Sequence, residues 1–158
     1  MSWFKRKRKV DLKEVKKVEF KPIDYPAKII VAWSKAIEGN QDILLWLKDN
    51  GYPELAMASY AIYLKQDARD WLHDNGYSHL LAMIIAAEGV ESAQKWLLFN
   101  GFEMLYHVAM AVEDEQSSFQ WLGQNAPADI FILAQTIKNV KDKIEENHND
   151  VHSFGKDV

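Results

Sequence analysis

The sequence predicts an all-α fold: an α-solenoid of about four 25-residue helix–turn–helix repeats, with a leading half-repeat and a C-terminal capping helix. Three observations carry this. Tryptophan recurs every 25 residues, at Trp46, Trp71, Trp96 and Trp121. A leucine follows each one, and Asn50, Asn75, Asn100 and Asn125 follow three residues later, the first three with glycine behind them. Between these marks the apolar residues fall into two helical stripes per period. Repeats of this length signal arrays in which each unit buries its apolar face against its neighbours.

The first helix of a unit, A, is defined by the columns Ile43/Ala68/Ala93/Ser118, Trp46/Trp71/Trp96/Trp121 and Leu47/Leu72/Leu97/Leu122. Their i, i+3, i+4 spacing makes one stripe, and the four tryptophans are expected in equivalent buried sites. Asn-Gly ends the helix, because glycine takes the left-handed conformation after a helix without a steric penalty. Helix B begins at once, with Pro53 suited to its first position and Ser78 to a cap. Its core face is Leu55/Leu80/Leu105/Ile130, Ala58/Met83/Val108/Leu133 and Ile62/Ala87/Val112/Ile137. Ala61, Ala86 and Ala111 form a small-residue column that lets neighbouring B helices approach closely, and Gly39 and Gly89 close two of them. Residues 26–38 read as a B helix without its A, in register with the later units. Pro127 opens a longer helix whose apolar pattern fades after Val140, as a polar cap should. The domain reading is a flexible basic arm over 1–21, the helical-repeat domain over 22–147 and a disordered tail over 148–158.

Gly89-Val-Glu-Ser-Ala-Gln-Lys-Trp-Leu-Leu-Phe-Asn-Gly101 resembles the second helix of an ankyrin repeat, with glycines at both ends and aliphatics between. Gly39 and Gly51 have the same separation. The resemblance covers roughly residues 36–125 and implies a helical array in which B is the inner, concave helix and whose business is protein binding. The Thr-Pro-Leu-His signature of that family is missing, and 25 residues leave no room for its β-hairpin finger.

Composition narrows the function classes. The chain has no cysteine, which removes disulfides, thiolate metal sites and cysteine nucleophiles. The longest apolar run, residues 80–87, is far short of the ~20 residues of a membrane span, and no apolar stretch follows the basic start, so a cytosolic location is expected. The net charge of −4 divides into a basic arm, nine Lys/Arg against three Asp/Glu in residues 1–21, and an acidic body. No nucleophile elbow, zinc-protease motif, phosphate loop or dinucleotide fingerprint is present, so no catalytic residue, metal or cofactor is expected.

Several residues still have to be weighed. His148 and His152 have the i, i+4 spacing of a helical metal site but lie in a polar tail, and read best as solvated. His73 and His79 flank a turn and are expected to be exposed. His107 replaces apolar residues in its column and reads as a satisfied structural or groove histidine. The face of B opposite the core carries Met57, Tyr60, Ile85, His107 and Met110, where water alone would select polar residues. One reading is that B is buried all round; the other is an apolar groove for a peptide or helix, in which adaptable methionine and amphipathic tyrosine are favoured. The arm Trp3, Phe4, Lys5, Arg6, Lys7, Arg8 and Lys9 has the composition of a solvated tail or of a weak anchor for an anionic membrane; the acidic body argues against nucleic acid. The expected function is a non-enzymatic scaffold for an unidentified protein or peptide, with a membrane-surface or nucleic-acid-associated adaptor acting through the basic arm as the alternative.

Overall fold

A computed structural model describes residues 20–156, with side chains through residue 147. The described residues form nine helices and no strand. The B helices are α1 (Ala27–Ile37), α3 (Pro53–Ile62), α5 (Ser78–Ala87), α7 (Glu103–Val112) and α9 (Ala128–Lys156). The A helices are α2 (Gln41–Asp49), α4 (Gln66–Asp74), α6 (Glu91–Phe99) and α8 (Gln116–Asn125). None of them is long and apolar enough to cross a membrane. The backbone of α9 stays helical to Lys156, into the segment for which a disordered tail was expected.

Both turns of the unit repeat in backbone detail. At the end of each A helix the asparagine side chain donates to the tryptophan carbonyl one turn back, at 2.8 Å for Asn50, Asn75 and Asn100 and 3.0 Å for Asn125. The amides of Tyr52, Tyr77 and Phe102 then reach the carbonyls of Leu47, Leu72 and Leu97, the six-to-one bond that closes a helix around a left-handed residue. The B helices end the same way, with Gly39 and Gly89 at positive φ, but Leu64 (φ 65°) and Asp114 (φ 71°) hold that conformation in the other two units. Pro53 opens α3 at its first position, and Ser78 takes the equivalent place in α5, with Tyr77 outside it as the cap residue.

Packing corrects two expectations. Helix α9 lies against α7 on one side and against α1 on the other, so the five B helices follow one another in a closed ring with the A helices packed around it. The last helix is therefore a closure joining both ends of the array, and its outer apolar residues have a partner in α1. The second correction concerns the tryptophans. Leu47, Leu72, Leu97 and Leu122 are completely buried, whereas Trp46 is 48% exposed and Trp71, Trp96 and Trp121 are half-buried. Each A helix wedges between two B helices along its leucine stripe, and a residue one position away is turned about 100° to the edge of that contact. There the indole lies nearly parallel to the aromatic ring of the following turn: Tyr52 for Trp46, Tyr77 for Trp71 and Phe102 for Trp96, with centroids 6.4, 6.1 and 5.9 Å apart. The fourth unit has Pro127 in that place, and Trp121 stacks on His107 instead, at 4.1 Å.

The ring interior is built from the B columns. Ile37, Leu55, Ala58, Leu80, Met83, Val108 and Leu133 are at most 1–2% exposed, and Ala61, Ala86 and Ala111 are fully buried where B helices meet. Each fully buried aliphatic contributes about 1.5–3 kcal/mol. Trp33 does enter the core, at 2% exposure, and its indole N–H has no partner among the described residues. It stands in the column of Ala58, Met83, Val108 and Leu133, so one large residue in the ring is offset by one alanine.

Candidate functional site

Of the five residues on the far face of B, Met57 and Tyr60 are brought together. They line an open cleft of about 570 Å³ between α3 and α4, with Lys65, Asp67, Ala68 and Trp71 completing it. Ile85 and Met110 are half-buried on α5 and α7. His107 is engaged within the protein: its ring stacks on Trp121, and Nδ1 lies 2.9 Å from the Ser118 hydroxyl. Burial lowers its pKa, against the upward pull of Glu103. Residues 3–9 of the basic arm lie outside the described residues, and nothing is described of the side chains of His148 and His152.

His79 was expected at the surface and is buried. Residues 20–26, outside any helix, run as a strap across the A-to-B turns of the third, second and first units in that order. Phe20 packs against His79, Trp96 and Phe102 with centroids 5.2–5.6 Å apart. The Lys21 amide donates to the Gly76 carbonyl, and the Lys21 carbonyl accepts from His79 Nε2 at 3.0 Å. Tyr25 donates to Glu54 at 2.8 Å. Because Nε2 carries the proton, the buried Nδ1 is a bare acceptor without a partner among the described residues. Burial pushes the His79 pKa down, only partly opposed by the Lys21 carbonyl. Burial and the neighbouring Glu54 raise that of Tyr25. The equivalents of Glu54 and His79 in later units, Met104 and Asp129, are not fully buried. Burial here comes from the strap, which no period in the chain announces.

Two cavities open at the ends of the ring. The one at the amino-terminal ends of the B helices has about 190 Å³ and includes Ile23 and Tyr25 of the strap, Trp33, Leu105 and Ile130. The one at the carboxy-terminal ends has about 230 Å³, and its lining includes Ile62, Met83, Ala87, Val112, Ile137 and Ile144. On the outside, Phe99 is 91% exposed and Leu98 48%, at the end of α6, while Met104 follows just after the turn at 36%. Comparison with protein-family models, with curated proteins and with solved structures gives no match.

Proposed function

We propose that the protein is a non-enzymatic interaction module of the cytosol that binds a protein or peptide through the apolar knob of Leu98 and Phe99. One observation supports this reading above the others: the exposure of Phe99 against the background of the repeat. The same two positions hold Lys48 and Asp49, His73 and Asp74, and Gly123 and Gln124 in the other units. The backbone place is equivalent in all four, so the repeat supplies its own control for what this surface carries when it only meets water. A phenylalanine left almost wholly in solvent gains about 1.5–3 kcal/mol when a partner covers it, and aromatic residues and methionine are enriched in interfaces for that reason. Met104 extends the knob across the turn. The cleft of Met57, Tyr60 and Trp71 is a second contact area of suitable composition.

The test exchanges the knob for the residues of the first unit, Leu98→Lys with Phe99→Asp. Stability should change by no more than about 0.5 kcal/mol, as for ordinary surface substitutions. Proteins that the wild-type chain retains from a native lysate should be lost by this variant. Sedimentation of both proteins covers the case in which the partner is a second copy. If the variant retains the same partners and the same sedimentation as wild type, the knob is not the binding surface.

A further inference from the structure

We propose that the cavity at the carboxy-terminal end of the ring binds a small aliphatic molecule whose head group is uncharged or cationic. This does not rest on the protein-binding reading, since the cavity lies in the bore of the ring and the knob on its outside.

The cavity has an origin in the repeat. Ala87 occupies the column that holds Ile37, Ile62, Val112 and Ile137 in the other units. One unit therefore omits a branched side chain in the column that lines this cavity, and Ala87 itself is only 4% exposed. The gap is walled by Ile62, Met83, Val112 and Ile137, and Ile144 overhangs it from the part of α9 that continues past the point where the other B helices stop. An apolar cavity of about 150 Å³ stays dry and takes up benzene. By the same measure the 230 Å³ here accommodates a chain of roughly six to eight carbons.

The rim selects the head group. Glu88 and Glu145 line the mouth together with Lys141. Lys141 is already committed, donating to the Ala87 carbonyl and to the Glu113 carboxylate, and Glu88 is paired with Arg69. Among the described residues, three carboxylates (Glu88, Glu113, Glu145) against two cations (Arg69, Lys141) leave the rim negative. The ends of α3, α5 and α7 that meet here are carboxy-terminal, and helix carboxy-termini carry partial negative charge. A fatty carboxylate would meet repulsion with no free cation among the described residues of the rim to receive it, whereas an amine or a hydroxyl fits.

The experiment titrates octylamine, 1-octanol and octanoate, each below its micellar concentration, into the full-length protein carrying labelled methyl groups. Methyl resonances of Met83, Ala87, Val112 and Ile137 should shift with octylamine and octanol, and the melting temperature should rise. Octanoate should need at least tenfold more ligand for the same shift. Ala87→Ile restores the residue type of the column, so it should keep the helical spectrum, melt higher without ligand and lose the methyl shifts. Should that variant not fold, Val112→Ile narrows the same space and should weaken binding. Absence of shifts with all three probes would overturn the site. Undiminished binding by the filled variant would overturn its location, and octanoate binding as tightly as octylamine would overturn its head-group preference.

Discussion

Leu72 is completely buried between α3 and α5 while its neighbour Trp71 is half-buried at the rim, so the smaller side chain should carry more of the stability. Leu72→Ala is expected to cost about 2–5 kcal/mol, as core leucine truncations do. Trp71→Ala should cost less, since part of its surface is already in water and the Tyr77 ring it leaves can shift. Chemical denaturation of both variants decides the order; a larger loss for Trp71→Ala would mean that the indole is the principal wedge after all. A second residue-scale prediction concerns Leu64, whose φ of 65° is positive like those of Gly39 (113°) and Gly89 (91°) in equivalent places. A left-handed conformation costs a side-chain-bearing residue about 1–2 kcal/mol, and glycine returns part of that in unfolded-chain entropy. Leu64→Gly should therefore stabilise by about 0.5–1 kcal/mol, because the leucine is 59% exposed and gives up little packing. A destabilised variant would show that Leu64 contributes contacts worth more than its strain. The periodic marks in the sequence locate all of these residues, but a period cannot separate a core column from a rim column. Trp and Leu are adjacent, both apolar, and repeat together; only the angle at which A meets two B helices assigns one to each place.

The helices themselves were legible, since most turns carry residues whose chemistry ends or starts a helix: Asn-Gly after the first three A helices, Gly39 and Gly89 after two B helices, and Pro53 or Pro127 before B. The strap was not. Residues 20–26 have no periodicity, and their position depends on partners some 30–80 residues away, among them Glu54, Gly76 and Phe102. The strap makes acid stability a testable property of one element. His79 is neutral in the fold, with Nε2–H on the Lys21 carbonyl, Nδ1 unpartnered among the described residues and aromatic rings of Phe20, Tyr77 and Phe102 around it. Its folded pKa lies below the ordinary value of about 6.5 because burial disfavours the charged ring. The unfolded chain then binds more protons in the window below that value, so stability is fully present above it and is lost as pH falls through it. The urea midpoint should be lower at pH 5.5 than at pH 7.5. His107 titrates in the same direction, so His79→Gln should remove part of the difference and leave the remainder. An unchanged difference in that variant would assign acid sensitivity to other groups.

Ring closure is the property of the whole molecule that no unit contains. Each 25-residue period adds a small rotation, and only the sum decides whether the first and last B helices meet. The sequence did carry a hint, since it holds five B stripes for four A stripes and both terminal B helices are rich in apolar residues, but an open array with capped ends satisfies the same pattern. The two arrangements respond differently to loss of α9. In an open array, removing the last unit costs that unit and one interface, and the rest stands. Here α9 covers α7 and α1 together, and Ile30 and Trp33 of α1 share the amino-terminal cavity with Ile130 and Leu133 of α9. A chain ending at Ala126 would expose both faces at once, including a tryptophan that is 2% exposed in the ring. We expect the full-length protein to unfold in one transition, with helix signal and tryptophan fluorescence coincident as two-state unfolding requires. The shortened chain should lose most of its helical ellipticity, well beyond the share of α9 itself. If it instead keeps the ellipticity of eight helices and melts cooperatively near the full-length temperature, the contact between α9 and α1 is dispensable and the array stands open.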